Sequence, residues 1–293
     1  MSDLDAATVL LQWATGGLLF LWVTTRRRLV GVGYGWLVRG VYGTMAVGAV
    51  LLGFRFDPVP AREGAAIGVV LATALALVVS IVRRRAGVSG ERAERERRAA
   101  RVAAMTGARP SAPSTPPDEA TGPDDRGPEF PPALDLVAPI VGMIGLIAAG
   151  WVAGGDDQVL NVARILAGAA LMGSVTDAML VGHWYLVQPG LPRTPIVELI
   201  RWAGAIWPIE VALLLVPPGM VSVLNGSIDD GYNGLLGWFW VACAATTGVL
   251  LLVARAALRE RAYSAVMATT GLLYLAILTA FGTDLVARAV LAG

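Results

Sequence analysis

The chain has 293 residues, of which 56% are hydrophobic and only 15% are charged, whereas soluble domains average about 25% charged residues. A water-soluble domain could not bury so much apolar surface, and a net charge of +1 gives no electrostatic basis for binding nucleic acid. All 23 basic side chains are arginine, which excludes the Schiff-base lysine that covalent retinal or pyridoxal phosphate requires. Cys243 is the single cysteine, so an internal disulfide or a cysteine metal cluster is excluded as well.

The apolar residues form eight blocks, and a helix needs about 20 such residues to cross about 30 Å of hydrocarbon. The blocks are continuous and lack the period-two alternation of an outer-membrane barrel strand. The sequence therefore predicts an all-α, polytopic helical membrane protein with about eight transmembrane helices, three before a linker and five after it. The predicted spans cover residues 6–24, 30–53, 64–82, 134–154, 159–187, 195–216, 231–258 and 263–291.

Charged residues at the ends of the blocks set the predicted orientation. Arginines 26–28 follow the first block and arginines 83–85 follow the third, so both triplets lie on one side. Arginine-rich loops favour the cytoplasm. Asp3 and Asp5 precede the first block, which is the reverse of a signal peptide. We therefore expect a multi-pass protein of a bacterial cytoplasmic (inner) membrane, with both termini external and the linker cytoplasmic.

The region between the third and fourth blocks has a different composition. Residues 91–101 are a dense run of mixed charge and alanine, and residues 108–132 are crowded with proline, serine, threonine and acids. The first part could extend the third helix beyond the membrane, but the second cannot bury enough apolar surface to fold. We expect a largely disordered, solvated linker over 83–132 between membrane segments 1–82 and 133–293. A docking tail for a protein partner is the alternative.

Three charged residues lie deep in the predicted spans. Asp177 and Arg39 are each about ten residues, or about 15 Å, from the cytoplasmic ends of their blocks. A charge inside hydrocarbon costs about 2.5 to 3.5 kcal/mol on insertion scales, so such groups are expected to pair or to carry function. We expect Arg39 to pair with Asp177, and Glu210 is the alternative partner. The pair would either lock the two membrane segments together or make Asp177 a proton or cation site.

A second group of residues lies close to the predicted cytoplasmic boundary. His183, the one histidine, is followed by Trp184 and Tyr185, and aromatic residues with polar tips usually anchor a helix at the headgroups. Glu198 and Arg201 lie at i, i+3 spacing near the start of the next block. They would form a local pair on a boundary turn, or would join His183 in a pocket for a lipid headgroup or a quinone ring.

Other patterns limit the chemistry. Asp284 and Arg288 are spaced at i, i+4 in the last block and are expected to pair. A lone histidine excludes bis-histidine haem and a histidine cluster for zinc. The chain has no GxxxxGK[ST], GxSxG or HExxH motif. We therefore predict no metal site, no cofactor and no conventional catalytic residues.

These features favour a transporter-like or permease-like module in which Asp177, Arg39 and Glu210 form a buried polar site. The sequence does not specify the small molecule or ion on which it would act. The alternative is a non-catalytic scaffold or accessory subunit of a larger complex, for example a respiratory or redox complex. In either case the lipid bilayer is the expected partner and nucleic acid is not.

Overall fold

The computed structural model describes residues 5–56, 58–106, 128–154, 157–188, 190–260 and 262–291. Within these ranges the chain is helical and contains no strands, which confirms the predicted all-α class. Short 3-10 turns at Arg84–Ala86 and Pro132–Leu136 precede α4 and α5. In chain order the α-helices are α1 (Ala6–Thr25), α2 (Val32–Arg55), α3 (Pro60–Val82), α4 (Ser89–Thr106), α5 (Val137–Ala153), α6 (Gln158–Trp184), α7 (Thr194–Leu215), α8 (Met220–Leu224), α9 (Leu235–Ala257) and α10 (Tyr263–Leu291).

Seven segments of the described chain are long and apolar enough to cross a membrane, so the prediction of a polytopic helical membrane protein is confirmed. They are α1, α2, α3, the segment Pro132–Ala153 that contains α5, α6, α9 and α10. The remaining predicted span, 195–216, corresponds to α7, which has 22 residues but carries Glu198, Arg201 and Glu210. Because α7 packs against α6 and α9, it belongs to the same bundle despite these charges.

Two connections differ from the sequence prediction. α2 continues to Arg55 and α3 already begins at Pro60, so the loop predicted over 54–63 is shorter than expected. Proline is favoured in the first turn of a helix, because a backbone N–H at that position has no intrahelical partner and its absence costs nothing. At the other end of α3, the charged run forms the separate helix α4, because Gly87, with φ +64°, breaks the chain direction. Residues 107–127, which include most of the proline-rich part of the linker over 108–132, lie outside the described residues.

Helices α1 and α6 form the centre of the bundle. They are the most buried of the seven spans, with 67% and 78% of their most apolar stretches inside the protein. A Cβ at Gly16 of α1 would overlap the carbonyl oxygen of Ala169 in α6, and a Cβ at Gly173 would overlap the backbone of Gly16. Small residues thus allow the two backbones to touch. Contacts of α1 with α5 and α6 pack the predicted segments 1–82 and 133–293 into one bundle.

Both arginine triplets lie at one end of the bundle, which we call the arginine-rich end. Arg28, after α1, donates to the carboxylate of Glu129 at 2.6 Å, and Arg83, after α3, donates to the backbone carbonyl of the same residue at 3.0 Å. The connections between α2 and α3 and between α5 and α6 lie at the opposite end. Successive long helices therefore run in the alternating order that the charge pattern predicts.

Candidate functional site

Arg39 is bonded to an acid that the sequence analysis did not single out. Its guanidinium donates from Nε and Nη2 to the two carboxylate oxygens of Asp135, each at 2.8 Å. Both side chains are only 2% exposed. Thr25 donates to the same carboxylate at 3.1 Å, and the ring of Phe130 lies 4.5 Å from the guanidinium carbon. This bidentate geometry pairs both charges at the arginine-rich end of the bundle.

Depth along the helices explains this partner. Arg39 lies seven residues into α2, which is about 10 Å from the arginine-rich end. The 3-10 turn Pro132–Leu136 brings Asp135 into the bundle from the same end. The expected pairing of Arg39 with Asp177 or Glu210 is therefore wrong.

Asp177 of α6 is completely buried against the neighbouring helices, and its side chain makes one hydrogen bond. The hydroxyl of Tyr42 in α2 donates to Oδ1 at 2.6 Å, and Oδ2 has no partner among the described residues. Gly17 of α1 makes room for this contact, because a Cβ there would overlap the Tyr42 ring. Tyr34 is also fully buried nearby and is within electrostatic range of the carboxyl group. The carboxyl group of Asp177 is thus surrounded by protein and bonded to one neutral donor.

Glu210 is the second completely buried acid. Neither of its carboxyl oxygens has a hydrogen-bond partner among the described residues, although Asp284 and Arg288 lie within electrostatic range. Arg288 Nε donates to Asp284 Oδ2 at 2.8 Å, which confirms the predicted i, i+4 pair. Gln12 of α1 bridges this pair, donating to Asp284 at 3.2 Å and accepting from Arg288. We call these four residues the Gln12 cluster.

The structure separates the three residues that were expected to form one site. Gly168 of α6 faces the Gln12 cluster, since a Cβ there would overlap side chains of that cluster. Gly168 precedes Asp177 by nine residues, which is about 13 Å along the helix. Arg39 is bonded elsewhere. The buried polar site therefore consists of two separate carboxyl groups, at Asp177 and at Glu210.

The residues at the arginine-rich end of α6 differ in their exposure. His183 is exposed, whereas Trp184 is half-buried and donates from its indole nitrogen to Gln188 at 3.1 Å. The Trp184 ring also packs edge to face on Tyr34, with centroids 5.8 Å apart. Trp184 thereby connects the surface of this end to the tyrosine beside Asp177.

Tyr185 lies inside the protein, contrary to the expectation that it anchors the helix at the headgroups. It is 3% exposed, and its hydroxyl donates to the carbonyl of Pro192 at 2.7 Å. Burial raises the pKa of Tyr185, and the nearby charge of Arg193 opposes that rise. The phenol therefore stays neutral and fixes the connection between α6 and α7.

Glu198 pairs with the arginines that follow α1. Arg26 donates to Glu198 Oε1, and Arg27 Nη2 lies 3.2 Å from Oε2. Arg201 is exposed and makes no ion pair or hydrogen bond with the rest of the described chain. The expected local pair of Glu198 with Arg201, and the network of both with His183, are therefore wrong, because the arginines of the α1–α2 connection occupy the carboxylate.

Several buried polar residues were missed by the sequence analysis. Asp135 gave a signal, since it lies at the arginine-rich start of a predicted span at a depth that Arg39 can reach. Gln12 and Tyr42 gave none, because an amide or a phenol in an apolar block is common and its partners are distant in sequence. The buried pair of Arg62 with Glu63 was hidden by placing these residues in a loop.

Comparison of the chain with protein-family models, with curated proteins and with solved structures found no match. Among the described residues, no group of three or more histidine, cysteine, aspartate or glutamate side chains could hold a metal ion. The basis for a functional inference is therefore the geometry of the buried carboxyl groups.

Proposed function

We propose that the protein is a transporter-like membrane module in which Asp177 and Glu210 bind and release protons during a conformational cycle. One observation carries the proposal: both carboxyl side chains are completely buried, and neither is bonded to a positively charged side chain in the described structure. The substrate class is a small molecule or an ion whose movement is coupled to these protons.

The physical argument starts from the cost of burying charge. An ionised carboxylate removed from water without a partner costs several kcal/mol even after the surroundings relax. Each of the two groups must therefore hold a proton, or a small cation, in this closed conformation. A conformation that admits water would remove that constraint and release the proton. Ionisable residues inside membrane helices form proton relays in pumps and transporters for this reason.

The two acids differ in the neighbours that could assist release. Asp177 is bonded to Tyr42, a neutral donor. Glu210 lies close to Arg288, whose guanidinium is already bonded to Asp284. A shift of Arg288 from Asp284 toward Glu210 would give Glu210 a counter-ion, and Asp284 would take up the proton that Glu210 releases, so that neither carboxylate is left buried and unpaired. We therefore assign the coupling step to the Gln12 cluster and a second proton site to Asp177.

The orientation belongs to the same proposal. The positive-inside tendency of arginine-rich segments supports a cytoplasmic position for the arginine-rich end, in the inner membrane of a bacterium. A protein partner that docks on the linker over 83–132 stays a prediction from the sequence.

A scaffold or accessory subunit is the second candidate, and the complete sealing of both acids favours it. In that case permanently protonated carboxyl groups would only pack between helices. The ion pairs of Arg39 with Asp135 and of Arg26 with Glu198 would serve the same purpose, since they fasten helices from different parts of the chain.

Infrared spectroscopy of the full-length protein in liposomes distinguishes the two candidates without knowledge of the substrate. A protonated carboxylic acid has a C=O stretching band that a carboxylate lacks, and this band shifts when the proton is replaced by deuterium. We expect bands at neutral pH that disappear separately in Asp177→Asn and Glu210→Gln. We further expect both bands to shift after transfer into D2O, because a conformational cycle exposes each group to water.

Asp229→Asn is the matched control, because Asp229 is exposed at the surface; this variant should keep both bands. Bands that stay unshifted after prolonged incubation in D2O would refute proton exchange and support the scaffold. The absence of any band assignable to Asp177 or Glu210 would refute the proton sites themselves.

A further inference from the structure

A groove of about 650 Å³ opens at the arginine-rich end beside the start of α7. One wall consists of Arg193 and the start of α7 from Thr194 to Ala205, and Arg27 of the α1–α2 connection also lines the groove. Arg193 is held in place by backbone carbonyls of the connection between α9 and α10, including that of Ala262 at 2.8 Å. The groove therefore lies between the α1–α2 connection and the start of α7, and the α9–α10 connection fixes one of its arginines.

The polar part of the groove carries excess positive charge. Its lining contains the guanidinium groups of Arg27, Arg193 and Arg201 but only one carboxylate, that of Glu198. Glu198 is already bonded to Arg26 as well as to Arg27. Arg201 is exposed and bonds to no acid among the residues that the structure describes. An anion in the groove would supply the partner that the guanidinium of Arg201 lacks.

The groove changes from polar to apolar along α7. Arg193 and Thr194 lie at its start, whereas Trp202 and Ala205 lie further along α7. Thr194 and Ala205 are eleven residues apart, which is about 16 Å along a helix axis. Trp202 is 45% exposed, and its indole packs edge to face on Phe20 with ring centroids 6.3 Å apart. Tryptophan in this position is typical of the boundary between headgroups and acyl chains.

We propose that this groove binds one anionic phospholipid, with the phosphate between Arg201 and Arg27 and an acyl chain beside Trp202. Guanidinium groups bind phosphate oxygens through paired N–H donors, and basic pockets between transmembrane helices bind anionic headgroups. A free phosphate would use only the arginines, whereas a phospholipid also fills the apolar part of the groove. The site does not depend on the proton exchange proposed for Asp177 and Glu210.

The test is a titration of the full-length protein in detergent with dioleoylphosphatidylglycerol, with bound lipid counted by native mass spectrometry. We expect one tightly bound molecule per chain and weaker binding of the zwitterionic dioleoylphosphatidylcholine. One arginine near the headgroup contributes about 1 kcal/mol, so Arg201→Gln should weaken the binding of phosphatidylglycerol about fivefold. Inorganic phosphate should not displace the lipid.

Arg255→Gln is the matched control, because Arg255 is exposed in the last turn of α9 and does not line the groove. It removes the same charge from the same end and should leave lipid affinity unchanged. If Arg201→Gln does not fold, Arg27→Gln carries the same expectation. Equal affinity for the two lipids, or equal affinity of the groove variant and the control, would overturn the proposal. Displacement by inorganic phosphate would instead assign the groove to free anions.

Discussion

Replacing Asp135 with alanine would leave the guanidinium of Arg39 charged and without its counter-ion. The contact consists of two hydrogen bonds of 2.8 Å between side chains that are both 2% exposed. Hydrogen bonds to charged groups contribute about 1.5 to 3 kcal/mol each, so losing both gives about 3 to 6 kcal/mol. Removing one partner of a buried ion pair costs about 3 to 5 kcal/mol in other proteins. We therefore expect Asp135→Ala to lower the free energy of unfolding by about 4 kcal/mol.

The double variant Arg39→Met, Asp135→Leu should lose much less of its free energy of unfolding than the single variant Asp135→Ala. It removes both charges and fills the same space with apolar side chains, and such replacements are often close to neutral. Reversible unfolding in dodecyl maltoside micelles with increasing dodecyl sulfate, followed by circular dichroism, would measure both free energies.

Arg101→Ala is the control for this measurement. Arg101 pairs with Glu94 on α4, but its side chain is 66% exposed, and exposed pairs contribute about 0 to 1 kcal/mol. The reasoning would be refuted if Asp135→Ala were no more destabilising than this control, or if the double variant were as unstable as the single one.

Three further predictions concern other parts of the bundle. Gly16→Ala should sharply reduce the yield of folded protein on gel filtration, because its Cβ would overlap the backbone of α6, whereas Gly40→Ala has no neighbour within 4 Å and should not. Tyr42→Phe removes the single donor to Asp177 and should lower the free energy of unfolding by about 1 to 3 kcal/mol; an unchanged value would show that another donor replaces the phenol. Asp230 lies outside the spans. Partial desolvation acts to raise the pKa of its carboxyl group, but hydrogen bonds from four backbone N–H donors outweigh this effect and lower the pKa. Its stabilisation of the loop is therefore present above the unfolded pKa of about 3.9 and is lost as the pH falls through the lower folded value. Amide hydrogen exchange over residues 231–237, corrected for intrinsic rates, should accelerate in that range in the wild type and show no such step in Asp230→Asn.

The helices could be predicted because crossing a membrane is a requirement on each segment separately. An apolar block of sufficient length identifies a span whatever its neighbours are, and seven such spans are present in the described chain. The loop predicted over 54–63 was too long, because its charged residues were expected to lie in water outside the membrane. In the structure Arg62 and Glu63 are both 2% exposed and form an ion pair inside the first turn of α3, and Arg62 also pairs with Asp5. In the sequence, two adjacent charged residues that pair inside a helix cannot be distinguished from the charged residues of a loop.

The partners of the buried charges could not be predicted for a geometric reason. Counting residues gives the depth of a side chain in the membrane but not the direction in which it points around the bundle. Arg39 and Asp177 were expected to pair on the basis of approximate depth alone. In the structure Arg39 is hydrogen-bonded to Asp135, and Asp177 is hydrogen-bonded to Tyr42. The i, i+4 pair of Asp284 with Arg288 was predicted correctly, because the geometry of a single helix fixes both the depth and the direction of its side chains.

The bridge from Gln12 to Asp284 and Arg288 joins positions 272 and 276 residues apart. As the ribosome delivers the chain, α1 enters the bilayer before α10, so the amide of Gln12 has neither partner until α10 has been synthesised. A nascent chain that stops earlier leaves Gln12 and Glu210 facing lipid or incomplete neighbours. Such truncated products should be recognised by membrane quality-control proteases, so insertion of α10 acts as a checkpoint for assembly of this bundle.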